Sequence, residues 1–123
     1  MERLTESELQ IMKCIWDANE QLALSSILKR TNERFQKNWK PQTASTFVAR
    51  LVQKGFLRLD RSVRYYSYEV LIPEIEYLKK TVLDFSDFWG EGVVNTFVAT
   101  LIENQKITDE EAKLLSDMLD QMQ

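Results

Sequence analysis

Apolar residues recur along this chain at two spacings. Through most of its length they fall three and four residues apart, as on one face of a helix; in one short stretch they alternate with polar residues, as in a strand. Leu9, Met12, Ile15 and Trp16 predict a first helix ending near Asp17. Thr5-Glu6-Ser7-Glu8 opens it as a capping box, with Thr5 as N-cap and Leu4 and Leu9 placed as the hydrophobic staple. Ile27, Leu28, Thr31 and Phe35 predict a second helix over about 24–36. Ala44, Phe47, Val48 and Leu51 predict a third, with Lys40 at its N-cap, Pro41 in its first turn and Gly55 just past its end. Trp39, between the second and third helices, reads as a core plug or a short strand residue.

The alternating stretch is residues 55–61, and the aromatic and β-branched run over 65–70 supplies a second strand. The residues between them leave room only for a hairpin turn. Two helices, a third with a distinct outer face and then a hairpin predict a winged helix–turn–helix over 1–70. That outer face carries Gln42, Thr43, Ser45, Thr46, Ala49, Arg50 and Gln53: short donors and acceptors, one cation and no acid. Side chains of this kind fit into a DNA major groove and meet base edges. Arg58, Arg61 and Arg64, on the first strand and the turn, face a single acid there, Asp60, and are placed to meet phosphates. Lys40 opposes the dipole of the third helix. Either it points into water, or a phosphate at that helix end draws on both the dipole and the cation.

Beyond residue 70, Pro73 starts a helix marked by Ile75, Leu78, Val82, Phe85 and Trp89, and Gly90-Glu91-Gly92 breaks it. A helix over 93–103 follows, with Val94, Phe97, Val98, Leu101 and Ile102. Thr108-Asp109-Glu110-Glu111 is a second capping box, opening a helix with Ala112, Leu115, Met118, Leu119 and Met122. Some 50 residues of helix with stripes this wide close no core alone. The expectation is a three-helix dimerisation domain over 71–123, in which Phe85, Phe88, Trp89, Phe97, Leu101, Leu115, Met118, Leu119 and Met122 build a homodimer. A two-fold protein in turn reads a palindromic site. The fold class is mainly α with a small β-hairpin.

Charge sharpens the division. The net charge of −3 looks wrong for a DNA-binding protein, but residues 1–70 hold 12 Lys and Arg against 8 Asp and Glu, and residues 71–123 hold 4 against 11. Within 37–64 the count is seven to one. A basic half for double-stranded DNA is thus joined to an acidic half with another task.

An enzyme is disfavoured, because there is no histidine, no phosphate-cradling glycine loop and no nucleophile elbow. The lone Cys14 allows neither an intrachain disulfide nor a metal cluster and reads as an inert buried thiol. No cofactor or metal is called for. No apolar run approaches the ~18 residues needed to span a bilayer, and the first residues lack the signature of a signal peptide. The consistent expectation is a cytoplasmic protein without direct membrane insertion. A winged-helix module that binds protein, and a repressor that responds to a small molecule, stay open as alternatives.

The order of parts resembles the BlaI/MecI-type family of penicillinase and methicillin-resistance repressors. The resemblance is carried by Leu4-Thr5-Glu6-Ser7-Glu8-Leu9-Gln10-Ile11-Met12 with Ile15-Trp16, and by Thr43-Ala44-Ser45-Thr46-Phe47-Val48-Ala49-Arg50-Leu51-Val52-Gln53-Lys54-Gly55-Phe56-Leu57. Arg64-Tyr65-Tyr66-Ser67-Tyr68, Phe88-Trp89-Gly90 and Ile107-Thr108-Asp109-Glu110-Glu111 complete it. It implies a winged-helix amino-terminal domain, a helical dimerisation domain and repression through a palindromic operator, with Thr43, Ser45, Thr46 and Arg50 facing DNA. It also implies inactivation, in antibiotic-resistance operons, through a membrane sensor-protease pathway that cuts the repressor at the position matching Thr100-Leu101. Family members cut there carry a different residue pair, and Val63 stands where the family tends to place glycine. Copper-responsive relatives carry a carboxy-terminal cysteine cluster, which this chain lacks.

Overall fold

The computed structural model describes residues 1–62 and 64–122. Its elements are α1 (Glu6–Ala18), α2 (Leu24–Phe35), α3 (Pro41–Gln53), β1 (Leu57–Asp60), β2 (Ser67–Val70), α4 (Glu74–Trp89), α5 (Val93–Glu103) and α6 (Asp109–Gln121). The capping box at Thr5 forms as its spacing predicts: the Thr5 hydroxyl accepts from the Glu8 N–H, and the Glu8 carboxylate accepts from the Thr5 N–H.

The core gathers Ile11, Met12 and Ile15 of α1, Ile27 of α2, Val48 and Leu51 of α3, and Phe56 and Leu57 at the start of the hairpin. Two expectations for α1 need correction. Leu9 is exposed, and Trp16 is only half-buried, while Ile11 and Glu8 are buried in full. The apolar stripe of α1 is wider than the strip its neighbours cover, so tertiary packing, and not periodicity, decides which edge goes in.

The join of α3 to the hairpin sets the geometry of the site. Gly55 has φ +84°, its N–H donates to the Val52 carbonyl, and the Phe56 N–H donates to the Leu51 carbonyl. This is a Schellman motif, closed by contact between the buried Leu51 and Phe56 side chains. It turns the chain sharply into β1. β1 and β2 pair antiparallel, with Leu57 opposite Val70, Arg58 opposite Glu69, Leu59 opposite Tyr68 and Asp60 opposite Ser67. Leu22 adds a one-residue bridge, its carbonyl accepting from the Tyr68 N–H at 2.9 Å. That bridge ties the α1–α2 connection to the hairpin, and no periodic signal marks it in the sequence.

The chain divides into compact units at Met1–Lys79 and Lys80–Gln123. The division expected at 70/71 therefore moves into α4. The reason is local: Glu74 pairs with Lys13 of α1, the Tyr77 hydroxyl accepts from the Leu4 N–H, and the Tyr77 ring packs edge-on against Phe56. The Trp16 indole donates to the Ile72 carbonyl at 3.0 Å. In the second unit the Thr108 capping box forms and Gly90 and Gly92 both have positive φ where the sequence breaks the helices. No described residue of α4, α5 or α6 is fully buried. No helix among the described residues is long and apolar enough to cross a membrane.

Candidate nucleic-acid interface

α3 buries Ala44, Val48 and Leu51, with Phe47 half-buried beside them. The opposite face leaves Gln42, Thr43, Ser45, Thr46, Ala49, Arg50 and Gln53 exposed, and Lys40 stands exposed at the N-cap with no side-chain hydrogen bond to the helix end. All the candidate contacts from this helix thus share its solvent side. The Thr46 hydroxyl donates to the Gln42 carbonyl at 3.0 Å, so its oxygen is left to act as an acceptor. The Arg50 guanidinium lies over the Phe47 ring, 5.7 Å from its centre.

The hairpin turn holds two further cations on aromatic faces. Arg61 lies 5.8 Å from the Tyr66 ring centre and Arg64 lies 5.5 Å from that of Tyr65, and both tyrosines are themselves exposed. Ser62 donates its N–H and its hydroxyl to Asp60, and these bonds hold the Asp60 carboxyl below the usual carboxylate range. Val63 lies outside the described residues.

Arg58 has a partner of its own. Its Nε donates to Glu69 Oε2 at 3.0 Å across the hairpin, and its side chain stays largely exposed. Cross-strand register creates this pair, which charge counting along the sequence cannot show. Asn32 is another residue that the sequence does not single out. Its side-chain amide donates to the Trp39 carbonyl at 3.0 Å and accepts from the Trp39 N–H at 3.1 Å, fixing the connection that leads into α3. A lone Asn late in a helix is a weak signal, because its partner is set by the path of the loop.

In the second unit Phe85, Phe88, Trp89, Phe97, Leu115, Met118, Leu119 and Met122 are exposed and Leu101 is half-buried. Phe85 touches both Trp89 and Phe97, so the aromatics gather where α4 and α5 meet. Thr100 and Leu101 lie within α5; the Thr100 carbonyl accepts from the Asn104 N–H at 3.2 Å and from its side-chain amide at 2.8 Å. No group of three or more His, Cys, Asp or Glu able to hold a metal occurs among the described residues.

Three helices followed by a two-stranded wing, with α3 carrying a polar outer face, define a winged-helix protein. Residues 4–121 match the family model described as penicillinase repressor. The chain belongs to the penicillinase repressor family. It is 26% identical over 119 residues to the penicillinase repressor of Bacillus licheniformis, covering 97% of this chain and 91% of that protein. It is 25% identical over 116 residues to the methicillin resistance regulatory protein MecI of Staphylococcus aureus strain N315, covering 94% of this chain and 92% of that one. A solution structure of the B. licheniformis BlaI monomeric form in complex with the blaP half-operator is similar with a TM-score of 0.53 and 28% identity. The match covers 62% of this chain and 89% of that one. Family membership places the chain among repressors and not among enzymes.

Proposed function

We propose that this protein is a dimeric, sequence-specific DNA-binding repressor acting on a palindromic operator, with α3 as the reading helix and Arg61 and Arg64 as wing anchors. The observation that carries the reading is the solvent face of α3. It presents Gln42, Thr43, Ser45, Thr46 and Arg50 with no carboxylate among them. Such a face repels no phosphate and offers hydrogen-bonding groups at the depth of base edges. The relative solved on a half-operator supports the same use of this fold.

The dimer rests on a different observation. The second unit leaves Val82, Phe85, Phe88, Trp89, Phe97 and Met118 exposed, more than an isolated helical unit of this size keeps in water. A second copy of the chain is the partner that would cover them and would set two reading helices on one duplex. Relief by a cut at Thr100-Leu101, downstream of a membrane sensor-protease, belongs to the same reading. The cut would release α6 with Leu115, Met118, Leu119 and Met122. Because that peptide bond lies in formed helix, the end of α5 has to unwind before a protease can take it.

The test is selection of duplexes from a random pool by the full chain, followed by titration. An inverted repeat is expected to emerge. Thr46→Ala or Ser45→Ala should lose about 1–3 kcal/mol on the selected duplex and much less on a scrambled one. Arg61→Ala or Arg64→Ala should weaken both duplexes evenly and reduce the log–log salt slope by about one per phosphate contact. Selection of no repeat, or helix and wing variants that behave alike, would overturn the reading.

A further inference from the structure

Arg50 is the one cation on the solvent face of α3, and what lies beneath it is built from residues outside that face. Its guanidinium rests over the Phe47 ring. Phe47 in turn packs on Trp39, with ring centres 5.1 Å apart. Trp39 is half-buried, and its backbone is gripped from both sides by the single Asn32 amide, which donates to the carbonyl and accepts from the N–H. An unbroken line of contact thus runs from the last turn of α2, through the connection, to the reading face.

We infer that Asn32 and Trp39 are positioning residues for specificity, acting through Phe47 to preset the Arg50 guanidinium for base contact. This rests on the reading of α3 as the recognition helix. The physical reason is side-chain entropy. A free arginine on a helix surface samples many rotamers and must order on binding, whereas a guanidinium seated on a packed ring begins part-ordered. Trp39 fixes the ring, and Asn32 fixes Trp39. An arginine so held reads one base geometry well and others poorly, so loss of the platform should lower discrimination more than general affinity.

A double-mutant cycle on the full chain tests this, with the selected duplex and its scrambled counterpart as probes. Arg50→Ala should weaken binding to the selected duplex by about tenfold and to the scrambled one far less. Asn32→Ala should reproduce several-fold of that loss. Combined with Arg50→Ala it should add less than about twofold, because both changes remove the same contact. Trp39→Phe, which keeps a ring on Phe47, should retain most of the discrimination. Arg34→Ala, which cuts the ion pair of the same helix to Asp17, is the stability control and should leave discrimination unchanged. Should Asn32→Ala fail to fold, Asn32→Asp, which keeps the acceptor and gives up the donor, carries the same cycle. If the Asn32 and Arg50 effects multiply, or Asn32→Ala weakens both duplexes equally, Asn32 is merely structural and the inference falls while the recognition reading stands. If the unaltered chain itself does not prefer the selected duplex, both fall.

Discussion

Glu8 has no accessible surface, yet it is a carboxylate, and its Oε2 meets no protein partner. The other oxygen accepts from the Thr5 N–H at 2.8 Å and from Lys54 Nζ at 2.6 Å. Burial pushes its pKa up, but the hydrogen bonds from Lys54 and Thr5 outweigh that and hold the carboxyl below its usual value. A folded-state pKa below the unfolded one means stability that is present above about pH 4.5 and lost as pH falls through the folded value. Lys54→Met leaves a buried charge without its cation and should cost about 3 kcal/mol, the low end for a buried pair because Lys54 is partly exposed. Glu8→Gln keeps the shape and should cost about 1–3 kcal/mol while flattening the acid side of the stability profile. Urea unfolding between about pH 2 and 6, which brackets the unperturbed carboxylate range of about 3.9–4.3, measures both; a steep acid limb retained in Glu8→Gln would show that other carboxylates control it.

Helix ends carry much of the information that shapes the individual elements. The capping boxes at Thr5 and Thr108 and the Schellman turn at Gly55 each satisfy free backbone groups with residues a few positions away, so they depend on local sequence. Gly55 is the sharpest case. Its φ is +84°, and a Cβ placed there would meet nothing within 4 Å. Gly55→Ala should therefore cost backbone strain alone, about 1–2 kcal/mol, with no clash added. Since the turn delivers Phe56 and Leu57 into the core, thermal unfolding is the measurement, and a loss well beyond this range would mean that the hairpin itself had shifted.

The whole chain joins one unit with a closed core to one that leaves its apolar stripes in water. A fragment ending at Thr100 lacks α6, and with it Leu114, Leu115, Met118, Leu119 and Met122, all of them exposed within the single chain. If a partner copy covers them, each contributes roughly 1.5–3 kcal/mol on burial. The fragment should then sediment as a monomer while its winged helix stays folded. A monomer holds one half-site, and operator affinity should fall by a factor on the order of a hundred or more as the linkage between two reading helices is lost. A fragment that remains dimeric, or binds as tightly as the full chain, would show that α6 is not the clasp.

Sequence alone determined the number and limits of the helices, the place of the hairpin and the polar outer face of α3. Each of these follows from signals within a few residues: three-and-four spacing, capping boxes, Pro41 and Gly55. Family resemblance was legible on the same local motifs. Only the tertiary structure decided which edge of α1 is buried, with Ile11 and Glu8 inside and Leu9 outside. It also paired Arg58 with Glu69 and set Asn32 on Trp39. The docking of Tyr77 carried the first unit into α4 as far as Lys79. The reason is common to all of these: an apolar stripe or a polar side chain states what it needs, but the neighbour that meets the need comes from distant chain, brought close only when the core has packed.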